Sequence, residues 1–207
     1  MKKLNQSGAI ESSWVITAVI TLLVGLGVGY AIGHHSKNNT TSMSMSSMSS
    51  SDGVTVGGAK MIDSKNIVQN ALNANNVTTV VKLVKEAGLV NTLESAGPFT
   101  VFAPNNSAFA KLPASTVSAL QQPANVDQLK NILTYHVVPG TYTSAALKVM
   151  AEKGQTLTTV QGEQITPVMQ NNQLELKDAK GNLVTIQTSD VISSNGVTFV
   201  INSVLMP

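Results

Sequence analysis

The chain has 207 residues, 13 basic and 11 acidic groups, a formal charge of +2 and no cysteine. The lack of cysteine excludes disulfides, thiolate metal sites and cysteine nucleophiles. Every basic group is a lysine and the lysines do not cluster, so neither a bidentate guanidinium fork nor the concentrated basic face of a nucleic-acid footprint is present; no nucleic-acid partner is expected.

In chain order, Lys2 and Lys3 precede an uncharged apolar run, Trp14 to Ile32. At 1.5 Å rise per residue this run matches the hydrocarbon thickness of a bilayer, and Trp14 and Tyr30 lie near its ends, where amphipathic rings favour the headgroup layer. The reading is a cytoplasmic segment over 1–13 and a transmembrane anchor or signal segment over 14–32. The rest lies on the extracytoplasmic side of the cell membrane, single-pass, or is secreted if the leader is cleaved. Gly25, Gly29 and Gly33 recur every fourth residue and offer a face for homo-association. Residues 33–58, rich in Ser, Met, Asn and Gly, read as a disordered tether. Within that tether His34, His35, Met43, Met45 and Met48 are soft donors suited to Cu(I), against the plainer reading of a low-complexity spacer. No cofactor is expected.

The remaining residues, 59–207, are read as one domain. Asp63 or Ser64 caps a helix beginning near Lys65, with Ile67, Val68, Ala71 and Leu72 at helical spacing. A second helix runs from Thr78 to Ala87 on a stripe of Val80, Val81, Val84 and Ala87, and Leu89, Val90 and Leu93 make a helical turn. A strand follows from Phe99 to Ala103, ended by Pro104, and Asn106 is expected to cap a short helix holding Ala108 and Phe109. Further helices are predicted over Thr116–Leu120, Val126–Tyr135 and Ser144–Ala151, with a turn at Pro139-Gly140. After Gly154 come short runs rich in Val, Ile and Thr: Thr156–Val160, Gln164–Met169, Gln173–Leu176, Leu183–Thr188 and Val197–Asn202. Helices first and strands second indicate an α+β domain with a mainly antiparallel sheet, in which the early strand at Phe99 finds partners among the later ones.

Three stretches carry a resemblance. They are TVFAPNNSAF from Thr100 to Phe109, NILTYHVVPG from Asn131 to Gly140, and GVTFVINSVLMP from Gly196 to Pro207. In this order, from about Lys65 onward, they resemble the fasciclin (FAS1, or beta-Ig-H3) domain family. The departures are Asn105 where the family has Ser or Thr, Phe199 where it often has His, and Asn202 where it often has Asp. The resemblance implies a FAS1-like β-wedge of about seven strands with a group of α-helices, here preceded by the transmembrane helix. It also implies adhesion-like or matrix-associated roles outside the cell.

Chemistry in the side chains is sparse. No Gly-x-Ser-x-Gly elbow or phosphate-binding glycine loop is present, and no acid stands at helical spacing from His136. His136, after Tyr135, reads either as an interior histidine with satisfied ring nitrogens or, with Tyr135, Asn105 and Asn106, as part of a binding surface. Asn105 and Asn106 also suit the capping of a turn and helix start. The function expected is a membrane-tethered adhesion or binding module contacting an envelope polysaccharide, matrix or a protein, and not an enzyme. The alternatives are a self-associating structural envelope protein and an enzyme of unknown type.

Overall fold

In the computed structural model, which describes residues 53–207, the first element is a small hairpin, β1 (Thr55–Val56) and β2 (Ala59–Lys60). The expected cytoplasmic and membrane segments, the glycine face and the Cu(I) set lie outside the described residues. The hairpin falls where the tether was expected to continue to residue 58. Val56 and Met61 are buried against Val77, Ala103 and Val200, so this stretch belongs to the domain. Among the described residues no helix is long and apolar enough to cross a membrane.

The helices α1 (Ile67–Ala71), α2 (Thr78–Glu86) and α3 (Val90–Glu94) precede strand β3 (Phe99–Pro104). Then come α4 (Asn106–Ala110), α5 (Ala114–Leu120), α6 (Val126–Tyr135), β4 (Val137–Pro139) and α7 (Ser144–Glu152). Five strands close the domain: β5 (Leu157–Thr158), β6 (Gln164–Gln170), β7 (Gln173–Lys177), β8 (Leu183–Ser193) and β9 (Gly196–Ile201). The seven strands from β3 onward form one sheet in the order β4-β3-β9-β8-β7-β6-β5. It nearly closes on itself, because the Val160 N–H just after β5 donates to the Val137 carbonyl of β4 at 2.7 Å. Neighbours are antiparallel except β3 and β9, which run parallel from Phe99 opposite Gly196 to Pro104 opposite Ile201.

The continuous apolar run of β3 explains its placing. It lies between β4 and β9 and is apolar on both faces, as a strand covered on both sides must be. Phe102 points into the sheet's interior with Phe199, Ile165, Leu176 and Leu147, and its ring centroid is 5.5 Å from that of Phe199. Val101 and Ala103 point outward, beneath the helices. A second core joins α2, α4, α5 and α6 around Leu83, Phe109, Leu129 and Leu133.

Four local expectations are corrected. Asn66, not Asp63 or Ser64, caps α1: its side chain accepts from the Gln69 N–H, and Gln69 reaches back to the Asn66 amide. Asn105, not Asn106, caps α4, accepting from the Ala108 N–H at 2.7 Å. Val137–Pro139, where only a turn at Pro139-Gly140 was expected, is a strand, because Val137 and Val138 pair with Val101 and Thr100. β8 continues past Thr188 to Ser193. The polar run Thr188-Ser189-Asp190 breaks its alternation, and two register shifts against β9 absorb the extra residues, with Asp190 at φ +56°.

Candidate functional site

Tyr135 and His136 sit where α6 hands over to β4. Leu129, Ile132 and Leu133 seat α6 on the helical core, so its last turn is carried down onto the sheet, with Tyr135 as the last helical residue and His136 as C-cap. Neither side chain reaches the surface: Tyr135 is 0% and His136 3% exposed. The Tyr135 ring fills the sheet core beside Phe102 and Phe199. Its hydroxyl donates to the Gln164 carbonyl at 3.0 Å and accepts from the Ala179 N–H at 2.8 Å. Burial raises the phenol's pKa, the Ala179 bond opposes this, and the nearby charges of Asp178 and Glu163 add to it.

The geometry fixes the state of His136. Nδ1 lies 2.8 Å from the Ile132 carbonyl, which can only accept. Nε2 lies 3.0 Å from the Leu205 amide nitrogen, which can only donate. The ring is therefore neutral, with its proton on Nδ1 and its lone pair on Nε2. Burial lowers its pKa to about 4, and the Ile132 carbonyl pulls weakly the other way. One residue further, the Met206 N–H donates to Asp178 Oδ2 at 3.2 Å, and Asp178 also accepts from the backbone and side chain of Asn182. The tyrosine, the histidine and this buried aspartate thus fasten the segment after β9 and the turn after β7 to the end of α6. With both ring nitrogens occupied by backbone groups, His136 has no free position from which to take a substrate proton.

Asn105 and Asn106 separate in role. Asn105 is buried, caps α4, and turns its Nδ2 to Gln187 Oε1 on β8. Asn106 acts on a different helix. α2 begins after Val77, which has no side chain to cap it, and Asn106 Oδ1 accepts from the Thr79 N–H at 3.0 Å while its Nδ2 donates to the Asn75 carbonyl. The structure does not gather these residues with Tyr135 and His136 into one cluster. Among the described residues no group of three or more His, Cys, Asp or Glu is placed to hold a metal ion.

Sequence reasoning overlooked two features. One is the set of buried amides Asn70 and Asn195. Asn70 donates to Ser193 Oγ at 2.9 Å and exchanges bonds with the Ile62 backbone. Asn195 accepts from the Ile67 N–H and donates to the Leu93 and Ser95 carbonyls. The other is a pair of apolar cavities under α2, of about 80 and 50 Å³. The available signal was that three of the four residues on the α2 stripe are valines, too short to fill a helix-to-sheet gap.

Tyr135→Phe is expected to keep the fold and cost about 1–3 kcal/mol, because it leaves the Ala179 N–H and the Gln164 carbonyl unpaired in a half-enclosed site. Urea unfolding measures it; a loss below about 0.5 kcal/mol would show that the hydroxyl fastens nothing.

Comparison with known proteins follows the same residues. A family model described as Fasciclin domain matches residues 75–207. Protein sll1483 of Synechocystis sp. is 44% identical over 143 residues, covering 68% of this chain and 73% of that protein. Cell surface glycolipoprotein MPB83 of Mycobacterium bovis is 35% identical over 126 residues, covering 61% of this chain and 51% of that protein. A solved FAS1 domain pair from the insect cell adhesion molecule Fasciclin I superposes with a TM-score of 0.64 at 19% identity, over 70% of this chain and 52% of that one. The likeness is one of fold, and it places the nearly closed sheet and its helices in that architecture.

Proposed function

The chain belongs to the fasciclin domain family, and from that membership we propose that it is an extracytoplasmic adhesion or binding module without catalytic chemistry. It is tethered to the cell membrane through residues 14–32 and contacts an envelope polysaccharide or a protein partner. The observation that carries this reading is the use made of the family's motif side chains. Tyr135 and His136 are spent on interior bonds to Gln164, Ala179, Ile132 and Leu205, so the domain offers its surroundings shape and a mixed-charge surface in place of a reacting group. The name of one relative, a cell surface glycolipoprotein, supports a place at the cell surface. The uncharged run at 14–32 behind Lys2 and Lys3 supports a membrane tether.

Two measurements on the full chain test the proposal. Protease added to intact cells is expected to remove the domain while sparing cytoplasmic markers. The detergent-solubilised chain is expected to sediment saturably with isolated envelope material. Protection of the domain in intact cells would sink the topology. Failure to be retained above a non-binding control of similar size would sink the adhesion reading. If that failure came with a concentration-dependent rise in mass, it would favour the self-associating structural protein.

A further inference from the structure

Asn195 and Gly196 form the one Asn-Gly step in the 207 residues. An asparagine followed by glycine is the step most prone to lose its side-chain amide, because glycine has no side chain to shield its backbone nitrogen from the asparagine Cγ and leaves the backbone free to turn. In the folded domain this step is held still. Asn195 is 6% exposed. Its Oδ1 accepts from the Ile67 N–H at 2.9 Å, and its Nδ2 donates to the Leu93 carbonyl at 2.8 Å and to the Ser95 carbonyl at 2.9 Å. Its main-chain carbonyl accepts from the Phe99 N–H at 3.0 Å. The side-chain amide is thus pinned toward α1 and α3, while the peptide link to Gly196 is pinned toward β3. Rotating Cγ into line for attack by the Gly196 nitrogen breaks these bonds and leaves buried polar groups unpaired. Burial also keeps bulk water, the source of base and of the later hydrolysis, away from the amide.

We propose that Asn195-Gly196 is a deamidation site sealed by the native fold, and that modification there bars the chain from refolding. In the unfolded chain the Gly196 nitrogen attacks Asn195 Cγ. A new C–N bond closes a succinimide ring, the bond from Cγ to Nδ2 breaks, and Nδ2 leaves as ammonia with the proton given up by Gly196. Water then opens the ring to aspartate or isoaspartate, with no oxidation or reduction. Neither product fits the native site. Aspartate sets a carboxylate oxygen against the Leu93 and Ser95 carbonyls, where the amide donated, so acceptor meets acceptor in a buried place. Isoaspartate adds a methylene to the backbone just before Gly196, where there is no room: a Cβ on Gly196 would already stand 1.9 Å from the Phe99 carbonyl oxygen. Unfolding therefore becomes irreversible with time, and the lifetime of the domain is set by how rarely it opens. The site takes no part in adhesion, so its test and the test of adhesion fail independently.

The test holds the detergent-solubilised full chain at mildly alkaline pH, in buffer and in denaturing urea, and follows the peptide containing Asn195 by mass spectrometry. Conversion is expected to be at least about 100-fold slower in buffer than in urea, because in the folded chain it waits on opening of the domain. The partly converted chain is then returned to buffer and treated with protease. The surviving domain is expected to carry intact Asn195, and the digested fraction the converted residue. Asn195→Asp, which installs one product directly, is expected to lower the urea midpoint or to leave no folded protein. Conversion at similar rates in buffer and in urea would overturn the seal. Converted residue shared equally between surviving and digested fractions, or an Asn195→Asp variant as stable as the parent, would overturn the bar to refolding.

Discussion

Gly196→Ala is expected to lose about 4 kcal/mol or more of stability. Gly196 opens β9 directly opposite Phe99 of β3, at φ +153°. A Cβ there would stand 1.9 Å from the Phe99 carbonyl oxygen and under 3 Å from the Phe99 carbonyl carbon and nitrogen. These are backbone atoms, which no rotamer change can move aside. Nor can the strand retreat, because the Phe99 N–H is bonded to the Asn195 carbonyl at 3.0 Å, and the Asn195 side chain holds Ile67 of α1 and the carbonyls of Leu93 and Ser95 around α3. Displacing residue 196 would therefore disturb the single parallel pairing of the sheet and the seating of two helices together. Gly88→Ala is the internal comparison. Gly88 also has a positive φ, +68°, but a Cβ would meet nothing within 4 Å, so only the conformational cost of about 1–2 kcal/mol is expected. Urea unfolding of the two variants decides the matter. Equal losses would mean that dihedral preference, and not the contact with Phe99, makes Gly196 necessary.

The same neighbourhood shows what was legible in the sequence and what was not. The elements were readable where local pattern decides them: α6 was expected over Val126–Tyr135 and is found there, and the β3 run was recognisable from its apolar residues ending at a proline. The pairing of β3 with β9 could not be read as parallel, because no hairpin links them and a strand buried on both faces carries no alternation to show its orientation. Asn195-Gly196 looks like a turn dipeptide from local composition. Its larger role, an amide reaching across to Ile67, Leu93 and Ser95 and a glycine making room for Phe99, depends on contacts about a hundred positions away. Asn106 misled in the opposite direction. It sits at a helix start and has a capping side chain, but the helix it caps is α2, whose own preceding residue is the apolar Val77. Of the residues singled out, His136 was legible as a satisfied interior imidazole or as a contact residue, and only the two backbone partners at its ring decide between these.

Those partners make His136 the source of a pH-dependent stability with a definite sign. The folded ring has a pKa of about 4, against 6.5 for the unexposed-to-protein reference of an unfolded chain. Between those values the unfolded chain binds a proton that the folded domain refuses, so acid favours unfolding. The contribution is fully present above pH 6.5, is lost progressively as the pH falls toward 4, and changes no further below that. At about 1.4 kcal/mol per pKa unit, the loss across this window is about 3 kcal/mol. The physical cause is the burial of the ring, which disfavours its charged form and outweighs the opposing pull of the Ile132 carbonyl. Protonating Nε2 would also set its N–H against the Leu205 N–H in this buried site, and the bond that holds the segment after β9 would be lost. His136→Ala removes the titration but orphans both the Ile132 carbonyl and the Leu205 N–H, so about 3 kcal/mol is expected to be lost already at pH 7, with a flatter profile from pH 6.5 to 4. Urea unfolding of parent and variant across that range tests both parts. If the variant keeps the parent's slope, the acid sensitivity belongs to other groups; if it is as stable as the parent at pH 7, the imidazole does not hold the Leu205 segment in place.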